Sequence, residues 1–272
     1  MSEARRMRAF LTAWRITRLN FRARLEYRGD FIIAIVMGLL WQTSVLVFAG
    51  VLLTRFPGLG GWTSGGVLLI ASMRLLSHGL CTLLFGQMWM VPFLVQDGLL
   101  DGYLVRPLPV YRQVLLSAFP VNAFGDSTAA VLTFGLALSR LHLTWTAGRV
   151  AFLVAGVIGG MLTEAALETV LAAISLRYPV GLVWFRWLDS VLGTFGNYPL
   201  RILPAVPRNV LTFVLPVAFI AYLPAAVITG RVAGSGVAGW LAYGSPLAGL
   251  LLYLLSRWLW LFALRHYHSI GG

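Results

Sequence analysis

Six ionisable side chains, Arg74, His78, Asp126, Glu164, Glu168 and Asp189, fall in or beside runs that are otherwise almost wholly apolar. A charge at the middle of a membrane helix costs about 2.5–3.5 kcal/mol on insertion scales, so such groups face protein or water and not lipid. Glu164 and Glu168 are four residues apart, as are Arg74 and His78, and on a helix each pair shares a face. Two readings fit these types and spacings. Arg74, His78, Asp126, Glu164 and Glu168 either line a polar substrate path or gate, or form buried pairs, for example Arg74 with a glutamate of the 149–176 run, that fix helix packing.

Catalysis is poorly served by the same residues. A serine nucleophile needs a base on a facing element, yet Ser77 and His78 are adjacent and so point to different faces of one helix. The other histidines stand at 142, 266 and 268, and the last two read as ordinary terminal residues. Glu164, Glu168 and His78 could be gathered around a metal, but no spacing compels it. Cys81 is the single cysteine, which excludes an intrachain disulfide and a cysteine-built zinc site. We therefore assign no catalytic residue and no metal ligands. All 21 basic residues are Arg, and without Lys the chain has neither the P-loop lysine that reaches nucleotide phosphates nor a Schiff-base lysine.

The elements that position these groups are membrane helices. Apolar residues make up 59% of the chain and charged residues 11%, against roughly 25% charged in a soluble domain. A net charge of +12 could mean nucleic acid, but in a chain this apolar, arginines at segment ends act as orientation signals and contacts to anionic lipid. No nucleic-acid partner is expected. Residues 1–28 carry eight arginines interleaved with Met7, Phe10, Leu11, Trp14, Phe21 and Leu25 at helical spacing, which predicts an amphipathic helix in the headgroup plane. The first apolar run is too far along and too long for a cleavable leader. Spans follow at 31–54, 67–95, 114–139 and 149–176, each long enough for a core of about 30 Å at about 1.5 Å per residue.

The region 178–230 holds six prolines, more than one straight helix accepts. It reads as a fifth span at 180–196 followed by a re-entrant, broken outer segment at 198–230. The other parsing lays 180–196 on the cytoplasmic surface and lets 205–228 cross. The sixth span is 240–264. The expected fold is an all-α polytopic membrane protein forming one transmembrane domain, with six transmembrane helices, an N-terminal amphipathic interfacial helix and both termini cytoplasmic.

Between the second and third spans, residues 96–113 carry Asp97, Asp101, Arg106, Pro107, Pro109 and Arg112 where both flanks are apolar. A turn needs far fewer residues, so this stretch predicts a short helix at the membrane exit, with Leu99, Leu100, Tyr103 and Leu104 on its apolar face. Carboxylates near its start and arginines near its end suit the helix dipole and offer charges to a cytoplasmic partner.

This layout resembles the permease subunits of ABC-2 type exporters. Gly98, Asp101, Leu104, Arg106, Pro107 and Leu108 resemble that family's first cytoplasmic loop. Tyr198-Pro199, Leu215-Pro216 and Tyr222-Leu223-Pro224 are similar to one bacterial branch, which often pairs two non-identical permeases. The resemblance implies an ABC-2 type fold in the bacterial plasma membrane and two cytoplasmic ATPase subunits that hold ATP and magnesium. It also implies a second permease, by the branch a non-identical sister. Asp97, Gly98, Asp101, Leu104, Arg106, Pro107 and Leu108 would then form the ATPase-coupling helix, and Tyr198, Pro199, Pro216 and Pro224 the outer gate. The chain itself would be no enzyme and hold no cofactor. It would move an amphipathic or hydrophobic substrate by alternating access or lateral extrusion. Two other classes stay open on the residues: a membrane scaffold or sensor whose loop binds some other protein, and an ion-coupled carrier or channel that uses Asp126, Glu164 and Glu168.

Overall fold

A computed structural model describes residues 3–55, 59–141, 143–178 and 182–268, apart from the side chains of 3–11, 13, 45, 46, 48, 49, 52–55 and 59. Expectations for His142, for one of the six prolines (Pro179) and for the start of the 180–196 run lie outside the described residues. The helices are α1 (Glu3–Glu26), α2 (Arg28–Arg55), α3 (Ser64–Phe85), α4 (Val91–Gln96), α5 (Leu100–Leu104), α6 (Val110–Leu115), α7 (Asn122–Arg140), α8 (Ala147–Ser175), α9 (Leu182–Phe195), α10 (Ala205–Asn209), α11 (Tyr222–Ile228), α12 (Gly239–Tyr243) and α13 (Ser245–Arg265). No strand occurs among the described residues.

Among the described residues three helices, α3, α8 and α13, are long and apolar enough to cross a membrane. A fourth is reached if residues 205–214 and 217–228, bent by 71° at their junction, form one broken span. Local chemistry sets where α3 and α8 begin. Thr63 and Thr146 each occupy an N-cap in extended conformation, and their hydroxyls accept from the amides of Gly66 and Arg149, both at 3.3 Å. The apolar run 67–95 is not one helix. It closes at Gly86, whose amide bonds Thr82 O at 3.1 Å, and continues through a short 3-10 turn into α4. Likewise α9 has 14 residues, or about 21 Å, which is short of a hydrocarbon core of about 30 Å.

Lipid tails are as apolar as the side chains they touch, so these helices associate by close packing of small residues and not by leaving water. Helix α8 is the hub, packed against α3 on one side and α13 on the other. At the α8–α13 crossing Gly249 lies against Gly159, and a Cβ on Gly249 would sit 2.1 Å from Gly159 O. Helix α7 packs on α2 and α3, and there Phe21 of α1 joins Phe119 and Phe124 with ring centroids 5.0 and 6.4 Å away.

The proline-rich region folds against the same hub. Ile220, Tyr222, Leu223, Ala225, Ala226 and Ile228 are buried in one cluster with Leu69, Ile70 and Met73 of α3. The breaks at Pro216 and ahead of Pro224 lie against protein, with Val217, Ala218 and Pro224 buried, where freed backbone groups are tolerated. Arg231 ties the region to the α2–α3 connection, donating to Gly61 O and lying 5.9 Å over the Trp62 ring. Tyr222 Oη donates to Ser235 O at 3.1 Å.

Candidate functional site

The cluster predicted from residue types forms at the α3–α8 interface. Arg74 Nη2 lies 3.8 Å from Glu164 Oε1, and His78 Nδ1–H donates to the same oxygen at 2.6 Å. Helical spacing sends Arg74 and His78 to one face of α3, so both converge on one carboxylate. Arg74 and Glu164 are 3% and 1% exposed, which makes this a buried ion pair. Arg74 Nε also donates to Leu192 O at 3.4 Å, near the end of α9, and so joins three elements. Ser77, which shares no face with His78, instead donates to Val157 O at 3.0 Å.

Glu168 stands one turn further along α8 and associates differently. Cys81 Sγ, a Glu164 oxygen and a Glu168 oxygen lie within 4.8 Å of one another. The sequence grouped Glu164 and Glu168 with His78; the fold brings in Cys81, while His78 is taken up by Glu164. Cys81 is three residues beyond His78 on α3, so its membership was readable only once α3 was known to face α8. Asp126 of α7 is separate from the cluster, and its Oδ1 accepts from Gln42 Nε2 of α2 at 3.3 Å.

Two cavities run along this polar seam. The larger, about 1100 Å³, lies among α1, α2, α3, α4, α9 and the 117–122 connection. The smaller, about 630 Å³, continues between α2, α3 and α9 as far as Asn197 and Tyr198. Trp41, His78, Arg186 and Asp189 line both. Asp126 and Glu168 line the larger and Arg74 the smaller. Tyr198, predicted on the outer segment, lines the smaller cavity. Pro199 precedes a 3-10 turn at Leu200–Ile202, Pro216 stands at the 71° bend, and Pro224 packs on α8, where a Cβ on Gly156 would meet it at 2.9 Å.

The 96–113 stretch is a compact elbow. Asp97 caps the end of α4, Gly98 turns the chain at φ +67°, and α5 follows. That backbone region favours glycine, which accounts for Gly98 at the corner. Leu100 is fully buried, whereas Leu99, Leu104 and Val105 are 58%, 45% and 85% exposed. The Arg106 guanidinium sits 5.1 Å over the Tyr103 ring, and Pro107 and Leu108 lead to Pro109 at the N-cap of α6. Gln113 Nε2 donates to both Tyr103 O (2.8 Å) and Leu108 O (2.6 Å), clamping the two arms of the elbow together.

Sequence reading passed over Gln113 and Tyr111, although both share the α6 face of Val110 and Val114, and a polar residue on a buried face is a signal. Tyr111 Oη is 3.0 Å from Thr169 Oγ1 of α8, and its ring lies under Arg257 of α13 at 3.4 Å and beside Trp260 at 5.5 Å. The elbow is thus bolted to the hub helix and the last helix. Past α13, burial and then the Asp101 carboxylate raise the Tyr267 phenol above its ordinary value, so it presents a neutral hydroxyl to α5.

Residues 39–271 match the model of a family described as ABC-2 family transporter protein. Comparisons with curated proteins and with solved structures found no match. The matched residues include the elbow, the linings that α3 and α9 give to both cavities, and the bent 205–228 segment. The match covers most of the chain, whose apolar helices suit a membrane transport subunit, and the chain belongs to the ABC-2 family of transporter proteins.

Proposed function

We propose that this chain is the permease subunit of an ABC exporter, with ATP hydrolysis carried out by two separate cytoplasmic subunits. In this reading six spans cross the bacterial plasma membrane, the arginine-rich α1 lies on its inner surface in contact with lipid, and both termini are cytoplasmic. A second permease, a non-identical sister, completes the membrane part. The 96–113 elbow docks in the ATPases, closure of the ATPases moves α8 and α13 through Tyr111, and the seam between Asp126 and Tyr198 carries substrate towards the outer segment.

The observation that carries this reading is the elbow itself. Leu99, Leu104 and Val105 point outward on a segment whose base is held by Gln113 and Tyr111, so a rigid apolar edge stands ready for a partner. A load on a loosely tethered loop would be lost in the loop; here it reaches two helices.

The test is affinity purification in mild detergent with identification of what remains bound. An ATPase is expected, with retention lost in Leu99→Asp, Val105→Asp, each change weakening the contact by about tenfold or more, as truncation of a docking anchor does. Elution and thermal melting should stay as in the parent, because both side chains are exposed. Recovery of the chain without an ATPase, or with a cytoplasmic protein that lacks nucleotide-binding motifs, would sink the exporter reading and favour a scaffold or an ion-coupled carrier.

A further inference from the structure

The chain has a formal net charge of +12, yet its larger cavity has the opposite balance. Asp30, Asp126, Glu168 and Asp189, four of the nine carboxylates in the sequence, line it, against Arg24 and Arg186 out of 21 arginines. His78 is the remaining titratable side chain in the wall that could carry positive charge, and it is committed to Glu164. None of the four carboxylates makes an ion pair among the described residues. Asp126 is 4% exposed and is held by the neutral amide of Gln42. Glu168 lies within 4.8 Å of the Glu164 carboxylate, so the three aspartates carry the excess over the two arginines, and a cleft with an excess of one sign of charge behind low-dielectric walls concentrates ions of the other sign.

The rest of the lining suits the body of such an ion. Tyr27, Trp41, Trp89 and Tyr103 contribute aromatic faces, and the indole of Trp41 is 64% exposed. Aromatic faces attract cations within about 6 Å of the ring centroid. Met37 and Met90 add side chains that adapt to varied shapes. A volume of about 1100 Å³ accepts a molecule of drug size, since ligand pockets run to about 1,000 Å³.

We propose that this cavity binds lipophilic cations, molecules with an apolar or aromatic body and a positive centre such as a protonated amine or an onium group, and that these are the substrate class. This deepens the permease reading and rests on it. An anionic amphiphile would meet four carboxylates for every two arginines.

The experiment compares tetraphenylphosphonium with tetraphenylborate, which are close in size and opposite in charge. Both are titrated onto the purified chain, with any bound subunits, in nanodiscs of zwitterionic lipid, and uptake by empty discs is subtracted. The phosphonium is expected to bind at least about tenfold more tightly, and Asp126→Asn with Asp189→Asn to weaken it by about tenfold, with borate binding equal or stronger. Asp189→Asn, measured alone, is expected to lower phosphonium affinity several-fold and serves if the double variant does not fold. Equal affinity for the two probes, or phosphonium binding untouched in a variant that elutes and melts like the parent, overturns the proposal. Binding needs no ATPase and co-purification needs no ligand, so the two readings fail separately.

Discussion

Glu164→Ala is expected to lower stability by about 3–5 kcal/mol, the largest loss from any single side-chain truncation in the seam. The cause is what remains: Arg74, 3% exposed, keeps its charge with no carboxylate beside it. His78 loses its acceptor in the same change. Replacing both partners, Arg74→Met with Glu164→Met, should recover most of the loss, because two well-packed apolar side chains carry no desolvation cost. The measurement is denaturant or thermal unfolding of the detergent-solubilised protein for both single variants and the double. A Glu164→Ala loss of less than about 1 kcal/mol would show that water reaches Arg74 and that the pair lines an open path, not a packed interface.

Gly249→Val should separate α13 from α8 and cost about 3 kcal/mol or more, at the upper end of overpacking effects. The Cβ alone would stand 2.1 Å from Gly159 O, and that atom belongs to the backbone of the hub, so no rotamer relieves the clash. Gly135→Val is the control, since a Cβ at Gly135 meets nothing within 4 Å, and it should cost less than about 1 kcal/mol. Near-equal melting of the two variants would mean that the α8–α13 crossing contributes little to the fold. Tyr111 contacts α8 and α13 together, so a Gly249→Val protein that still assembles should also lose ATPase stimulation.

The Arg74–Glu164 pair illustrates how far residue types reach. Charge in an apolar run demanded a buried partner, and helical spacing limited which faces could meet. What the sequence left open was whether Arg74 takes Glu164 or Glu168, because the two glutamates share a face. Helix register decided it: α3 meets α8 with Arg74 and His78 opposite Glu164 and with Cys81 opposite Glu168. The place of Cys81 beside the glutamates was open for the same reason, since nothing local records which helix an apolar face will touch.

The elbow divides in the same way. Its polar composition, its prolines and Gly98 marked a water-facing turn, and Leu99 and Leu104 were legible as its apolar edge. Its attachment through Gln113 and Tyr111 to α8 and α13 was not, because those contacts join residues far apart in the chain. Break points were likewise partly visible. The prolines of 198–230 announced broken helices, but the end of α3 at Gly86 lay inside an unbroken apolar run, and apolar composition cannot distinguish one long helix from a helix and a turn.

By itself the sequence determined that this is a helical membrane protein with an arginine-rich N-terminal stretch, a polar loop and scarce charges within its apolar runs. Composition and period fix these, and both are local. Only the tertiary structure decided that four of nine carboxylates line one cavity, that Gly249 seats on Gly159, and that the loop is fixed to two particular helices. The physical reason is that lipid-embedded helices are apolar on every side, so the hydrophobic pattern does not select neighbours. Small-residue contacts and buried polar pairs select them, and these gain meaning only when the helices meet.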